Sequence, residues 1–146
     1  RRTLDLPKTG MAVVSDICDV TNIHPTNKKE AGRRLALVAL AKSYGINDIE
    51  YSGPLYKSFS IEKSSIRIKF DHAKGLYTKD KTPSFFGIAG EDGVYVEALA
   101  LVDKETVVVS SPKVLKPVSV RFAWKNTAQP NLFNGAGLPA SCFTTK

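Results

Sequence analysis

Near residue 49 the hydrophobic pattern changes period, and that change constrains the fold more than any other feature of the chain. Beyond it, Phe59 and Ile61 alternate with Ser58, Ser60 and Glu62, and Ile66, Ile68 and Phe70 alternate with Arg67 and Lys69. A period of two marks strands that bury one face. Lys63-Ser64-Ser65, between the two runs, reads as a hairpin turn. Further strands are predicted at Phe85–Ala89, Val94–Val102, Thr106–Ser110 and Val118–Trp124. In the last of these Val118, Val120, Phe122 and Trp124 share one face, which places Trp124 in the core, while Ser119, Arg121 and Lys125 take the other. Short strands with regular turn signals over about 100 residues predict an antiparallel β-sandwich spanning 49–146. The tail from Asn131 to Lys146, with Gly135, Gly137 and Pro139, reads as a packed irregular segment.

Residues 1–48 follow a different logic. Gly10-Met11-Ala12-Val13-Val14-Ser15-Asp16 is a continuous apolar run closed by an acid, the pattern of a strand buried on both faces of a parallel sheet. A loop from Cys18 to Asn27 follows, in which Pro25 disfavours the α conformation for His24. Asn27 then caps a helix, with Glu30 in the capping-box position and Gly45 where a left-handed residue ends it. Within that helix Leu35 to Ala41 reads LALVALA. A surface helix carries an apolar stripe, whereas this one is apolar all round for nearly two turns and wants partners on several sides. One strand cannot supply them. The expectation is an α/β layer preceding Arg1, so that the chain is α+β as it stands and forms part of something larger.

Composition narrows the function classes. With 42% hydrophobic and 24% charged residues the chain is globular rather than disordered. The net charge of +7 raises the question of nucleic acid, so its distribution matters. Residues 1–45 hold eight Lys/Arg against four Asp/Glu and the remainder thirteen against ten, with no run longer than Lys28–Lys29 or Arg33–Arg34. Such pairs read as a solvated helix face, not as a binding arm. No apolar stretch reaches the roughly eighteen residues of a membrane span. Cys18 and Cys142 fit no metal-ligand spacing and read either as one long-range bridge or as two free thiols.

His24 is the first candidate for chemistry, because a neutral imidazole is the usual general base near neutral pH and a strand-to-helix loop is where α/β folds place active sites. The competing reading is a loop histidine bonded to backbone. Asp16 and Asp19, on the same loop, are candidates to fix its tautomer; each also suits a structural role, Asp16 ending a strand and Asp19 making an Asx-turn. His72 reads as an exposed turn residue, and nothing around Cys18 marks an activated thiolate. No Gly-x-Ser-x-Gly elbow, phosphate-binding Gly loop or His-Glu-x-x-His motif occurs. The chain offers a base without its nucleophile.

Several short motifs in fixed order then resemble the sialate O-acetylesterases, carbohydrate esterases with an SGNH-like hydrolase domain. Thr9-Gly10-Met11-Ala12-Val13, Asp16-Ile17-Cys18-Asp19, Ile23-His24-Pro25 and Asn27-Lys28 look like that family's last catalytic strand and histidine loop. Gly32-Arg33-Arg34-Leu35-Ala36-Leu37 and Ala39-Leu40-Ala41-Lys42 resemble its closing helix, and Tyr51-Ser52-Gly53-Pro54-Leu55-Tyr56 the linker after it. Val120-Arg121-Phe122-Ala123-Trp124, Asn131-Leu132-Phe133-Asn134 and Gly137-Leu138-Pro139-Ala140-Ser141 resemble its C-terminal signature.

The resemblance implies that 1–48 ends an SGNH-type α/β hydrolase domain and that 49–146 is an appended sandwich. It implies a serine esterase removing O-acetyl groups from sialic acids or related sugars, with His24 as base, a serine and oxyanion donors in an N-terminal portion, and no cofactor. Secretion or a periplasmic or lysosomal site is implied as well, as is silence of the chain on its own. One departure stands out. SGNH hydrolases often place an Asp three residues before the catalytic His, and here that residue is Thr21, followed by Asn22. His24 is then oriented by a backbone carbonyl, by Asp19 or by Asp16. A non-catalytic carbohydrate-binding sandwich, stacking sugars on Tyr51, Tyr56, Tyr77 or Trp124, is the alternative from another class.

Overall fold

The hairpin forms where the alternation places it. In the computed structural model, which describes residues 2–24 and 26–146, β1 (Leu55–Glu62) pairs antiparallel with β2 (Ser65–Asp71), and Ile61 faces Ile66. Glu62 opposes Ser65, so the turn itself is Lys63–Ser64, with Lys63 in the left-handed region at φ 57°. There follow β3 (Tyr77–Thr78), β4 (Phe86–Ala89), β5 (Val96–Glu97), β6 (Leu99–Asp103), β7 (Thr106–Ser110), β8 (Ser119–Phe122), β9 (Leu132–Phe133) and β10 (Phe143–Thr144). They make two four-stranded antiparallel sheets, ordered β1-β2-β7-β6 and β10-β8-β4-β5, and a small ladder of β3 with β9. The predicted strand over Val94–Val102 is two: β5 lies in one sheet and β6 in the other, with the crossing at Ala98.

The two sheets share one core, as in a β-sandwich. Ile66, Ile68, Val107 and Val109 from one sheet and Ile88, Val120 and Phe122 from the other are fully buried in a single cluster. Phe143 joins them: its ring lies 5.0 Å from Tyr56, 5.8 Å from Phe70 and 5.6 Å from Phe122. Burying side chains of this size contributes about 1.5–3 kcal/mol each, so the sandwich is the stable part of the molecule.

The tail motifs are clamps. Asn131 Oδ1 accepts from the Ser84 backbone N–H at 2.9 Å and its hydroxyl at 3.0 Å, while Nδ2 donates to Asp80 and to the Thr82 carbonyl. Asn134 is 1% exposed; its Nδ2 donates to the carbonyls of Ser52 (2.8 Å) and His72 (2.9 Å), and its Oδ1 accepts from Leu138 N–H. Between these clamps Gly53 runs so close to Pro139 that an added Cβ would sit 1.9 Å from its carbonyl oxygen. Replacing Asn134 with Leu strands two carbonyls and one N–H in the interior. The expected cost is about 2–4 kcal/mol, read as a lower urea midpoint at an unchanged denaturant slope.

Residues 1–48 depart further from expectation. The helix is there: α1 (Lys28–Lys42) is capped by Asn27, whose side chain accepts from Glu30 N–H at 3.2 Å, and Gly45 takes φ 71° beyond its end. The capping box does not close, because the Glu30 carboxylate turns to Arg33 and Arg34 instead. The run Gly10–Asp16 forms no strand, since no neighbouring strand lies beside it to complete a ladder; the β content is antiparallel throughout and one α-helix accompanies it among the described residues. Gly10 instead passes against α1, where an added Cβ would meet Val38 Cγ1 at 2.1 Å. The apolar helix stays open: Leu35 is 60% exposed, Ile23 in the preceding loop is 90% exposed, and the one buried helical residue is Arg34.

Candidate active site

Two Asx-turns in succession shape the histidine loop. Asp19 Oδ1 accepts from Thr21 backbone N–H (2.8 Å) and its hydroxyl (2.7 Å), and Asn22 Oδ1 accepts from His24 backbone N–H at 2.9 Å. A short polar side chain bonding the backbone two residues on mimics a backbone turn. Thr21 and Asn22, which stand where an acid was looked for, therefore fold the loop. The Thr21 hydroxyl, then its N–H, hold the exposed Asp19 carboxyl below the usual carboxylate range. His24 ends the second turn with its side chain exposed, and Pro25, taken to restrict it, lies outside the described residues.

The loop is tied down at both ends. Gln129, from the segment before β9, donates from Nε2 to the Cys18 carbonyl and so links the loop to the sandwich. Ahead of it, Asp16 accepts a two-pronged bond from Arg34, at 2.6 Å to Nη1 and 2.8 Å to Nη2. Arg34 also donates to the Val13 carbonyl (2.6 Å) and to Glu30 (2.8 Å). The Arg34 and Asp16 side chains are 5% and 4% exposed. A planar guanidinium gripping a carboxylate this way fixes orientation as well as charge.

The three residues singled out from the sequence thus share one loop, but neither carboxylate bonds the His24 ring. Asp16 faces Arg34 and Asp19 faces Thr21. Arg34, read with Arg33 as part of a solvated helix face, is instead buried, because its partner Asp16 lies eighteen residues away and carries no local signal. His72 is not the exposed turn residue expected. It takes φ 58°, is partly buried, and its Nδ1 lies 2.8 Å from Glu50 Oε1, with the Tyr51 ring edge-on at 5.1 Å. The cysteines are both free thiols; Cys18 donates to the Ser15 carbonyl at 3.1 Å. Among the described residues no group of three His, Cys, Asp or Glu is placed to hold a metal ion, and no helix is long and apolar enough to cross a membrane.

Comparison with known proteins relates the chain to carbohydrate acetylesterases. A solved carbohydrate acetylesterase from Xanthomonas citri superposes with a TM-score of 0.94 at 39% identity, over 99% of this chain and 34% of that one. Among sialate O-acetylesterases, the rat protein is 32% identical over 81 residues, 51% of this chain, and the mouse protein 38% over 64 residues, 41% of it. The human protein is 28% identical over 88 residues. The chain spans 15% of the rat and 12% of the mouse protein, so it corresponds to a portion of larger esterase chains. No protein-family model matches it.

Proposed function

We propose that this chain is the histidine-bearing portion of a carboxylic ester hydrolase that removes O-acetyl groups from sialic acids or related sugars. The likeness to a carbohydrate acetylesterase along 99% of the chain carries the reading. In it, residues 1–48 close an SGNH-type catalytic domain and 49–146 form the appended sandwich. A serine from another portion of the enzyme attacks the acetyl carbonyl while His24 takes its proton. His24 returns that proton to the departing sugar oxygen, leaving an acetyl-serine. His24 then deprotonates water, which releases acetate and restores the serine. The exposed ring of His24 beside an open apolar helix suits a base that meets its nucleophile across an interface. Asp19 is the carboxylate assigned to orient the imidazole, and Asp16 acts on the loop through Arg34. The enzyme is secreted, periplasmic or lysosomal.

The test is acetate release. The enzyme containing this chain is expected to liberate one acetate per acetyl group lost from O-acetylated sialic acid or an acetylated neutral sugar. The same enzyme leaving every such ester intact would falsify the reading.

A further inference from the structure

On the outer face of the sheet β10-β8-β4-β5, far in sequence from His24, the strand alternation fails. Ala123 takes φ 51° and Phe85 φ 63°, and the two are joined by a bond from Ala123 N–H to the Phe85 carbonyl at 2.9 Å. Left-handed backbone is uncommon for residues with a side chain and rare for a bulky one such as Phe85. The break costs one step of parity. Trp124, assigned to the core by alternation, comes out beside Arg121 and is 53% exposed. Strain of this kind persists where something over-determines it, and it is concentrated at binding and catalytic sites.

The side chains gathered there line a cleft of about 560 Å³ with Phe85, Tyr95, Glu97, Arg121, Trp124 and Lys125 on its walls. That is within the usual size of small-ligand sites. Arg121 is pinned: its Cζ lies 3.9 Å from the centre of the Tyr95 ring and 5.5 Å from that of Trp124, and the Tyr95 hydroxyl is fixed by Ser119 Oγ at 2.8 Å. Its Nε is buried without a hydrogen-bond partner. A buried N–H left unpaired is costly, a second sign of strain held at this cleft, and it leaves the outer guanidinium nitrogens to face a ligand. Among the described residues Arg121 makes no ion pair, although Glu97 lines the same cleft.

We propose that this cleft is a sugar-binding subsite in which a pyranose ring stacks on Trp124 and presents an oxygen acceptor to Arg121. An open aromatic platform suits the C–H face of a sugar, fixed cationic donors suit its oxygens, and Glu97 accepts from its hydroxyls. The acceptor is either a ring hydroxyl or a sugar carboxylate. Glu97 beside the platform disfavours a nucleic-acid phosphate, and one indole provides no run of stacking surfaces. The subsite is independent of the esterase reading: sugar binding without acetate release sustains it, and acetate release without sugar binding at the cleft overturns it alone.

Trp124 is the chain's single tryptophan, so its emission reports this cleft. The chain is titrated with neutral gluco-, xylo- and galacto-oligosaccharides and with glucuronate and N-acetylneuraminate, followed by emission and by calorimetry. A saturable response to at least one sugar is expected, and the neutral and acidic arms tell a hydroxyl from a carboxylate at Arg121. Trp124→Ala and Arg121→Met, each checked for an unchanged melting temperature, are expected to weaken binding at least about ten-fold. The exposed Trp124 makes the first variant tolerable to the fold. No saturable response to any sugar overturns the proposal. So does binding that survives Trp124→Ala, or a response to a single-stranded oligonucleotide alone.

Discussion

Replacing His24 with Ala is expected to slow acetyl release by about 10³–10⁴-fold, with little change in KM. The size follows from the double duty proposed for the imidazole, which would move a proton in forming an acetyl-serine and again in its hydrolysis. The fold should not register the change. The His24 side chain is exposed, and the bond that holds this residue in its turn runs from its backbone N–H to Asn22, which Ala retains. Exposed substitutions of this kind shift stability by within about 0.5 kcal/mol. The measurement is kcat for acetate release by the whole enzyme, with its melting temperature alongside. Near-normal turnover in the variant removes His24 from the mechanism. Asp19→Asn supplies the companion: the Asx-turn onto Thr21 keeps an acceptor oxygen, so the loop stays folded. A fall in kcat together with a displaced ascending limb of the pH–rate profile then identifies an orienting carboxylate. An unmoved profile assigns the orienting role elsewhere.

Which parts of this molecule can be read from sequence depends on whether the deciding contact is local. The hairpin β1–β2 was legible because β2 buries alternate residues and two turn residues join it to β1, although Ile61 in β1 is 54% exposed. The helix was legible because its cap and its left-handed ending lie within the helix's own sequence. Trp124 was misplaced because alternation assumes unbroken parity, and a single left-handed residue, Ala123, shifts everything after it to the other face. The crossing at Ala98 is hidden for a related reason: an apolar run has the same pattern whether it stays in one sheet or passes between two. Gly10–Asp16 has the composition of a central strand, but a strand is completed by its neighbours, and the sheets here are built from other residues. The pair of Arg34 with Asp16 joins residues eighteen apart and carries no periodic signal. The partner of Asp16 was therefore invisible in the sequence.

That pair is where the largest loss of stability in residues 1–48 is expected. Asp16→Ala leaves the Arg34 guanidinium, 5% exposed, without the carboxylate that grips two of its nitrogens. Removing one member of a buried ion pair costs about 3–5 kcal/mol where the other charge is left bare, and the lower end is expected here because Arg34 keeps Glu30 and the Val13 carbonyl. The sandwich core contains neither residue, so the loss should fall on the loop and on α1, read as faster amide exchange from Lys28 to Lys42 while β2 and β7 remain protected. Replacing both charges, Asp16→Leu with Arg34→Met, is expected to recover most of it, since an apolar pair carries no desolvation cost; failure of that rescue shows that the hydrogen bond to the Val13 carbonyl, not the charge pair, holds the loop. Acid supplies an independent check. Glu30, the other carboxylate on Arg34, is held down to about 2 from an ordinary 4.5, by Arg33 first and then by Arg34. A carboxyl depressed in the folded state stabilises it fully above its unfolded value and loses that effect as pH falls through the folded one. Glu30's contribution to the protection of α1 is therefore expected to fade between about pH 4.5 and pH 2 in the unsubstituted chain and, with Arg33 and Arg34 still beside it, in Asp16→Ala as well. Protection of α1 in Asp16→Ala that stays constant between those pH values would mean that Glu30 does not stabilise the helix.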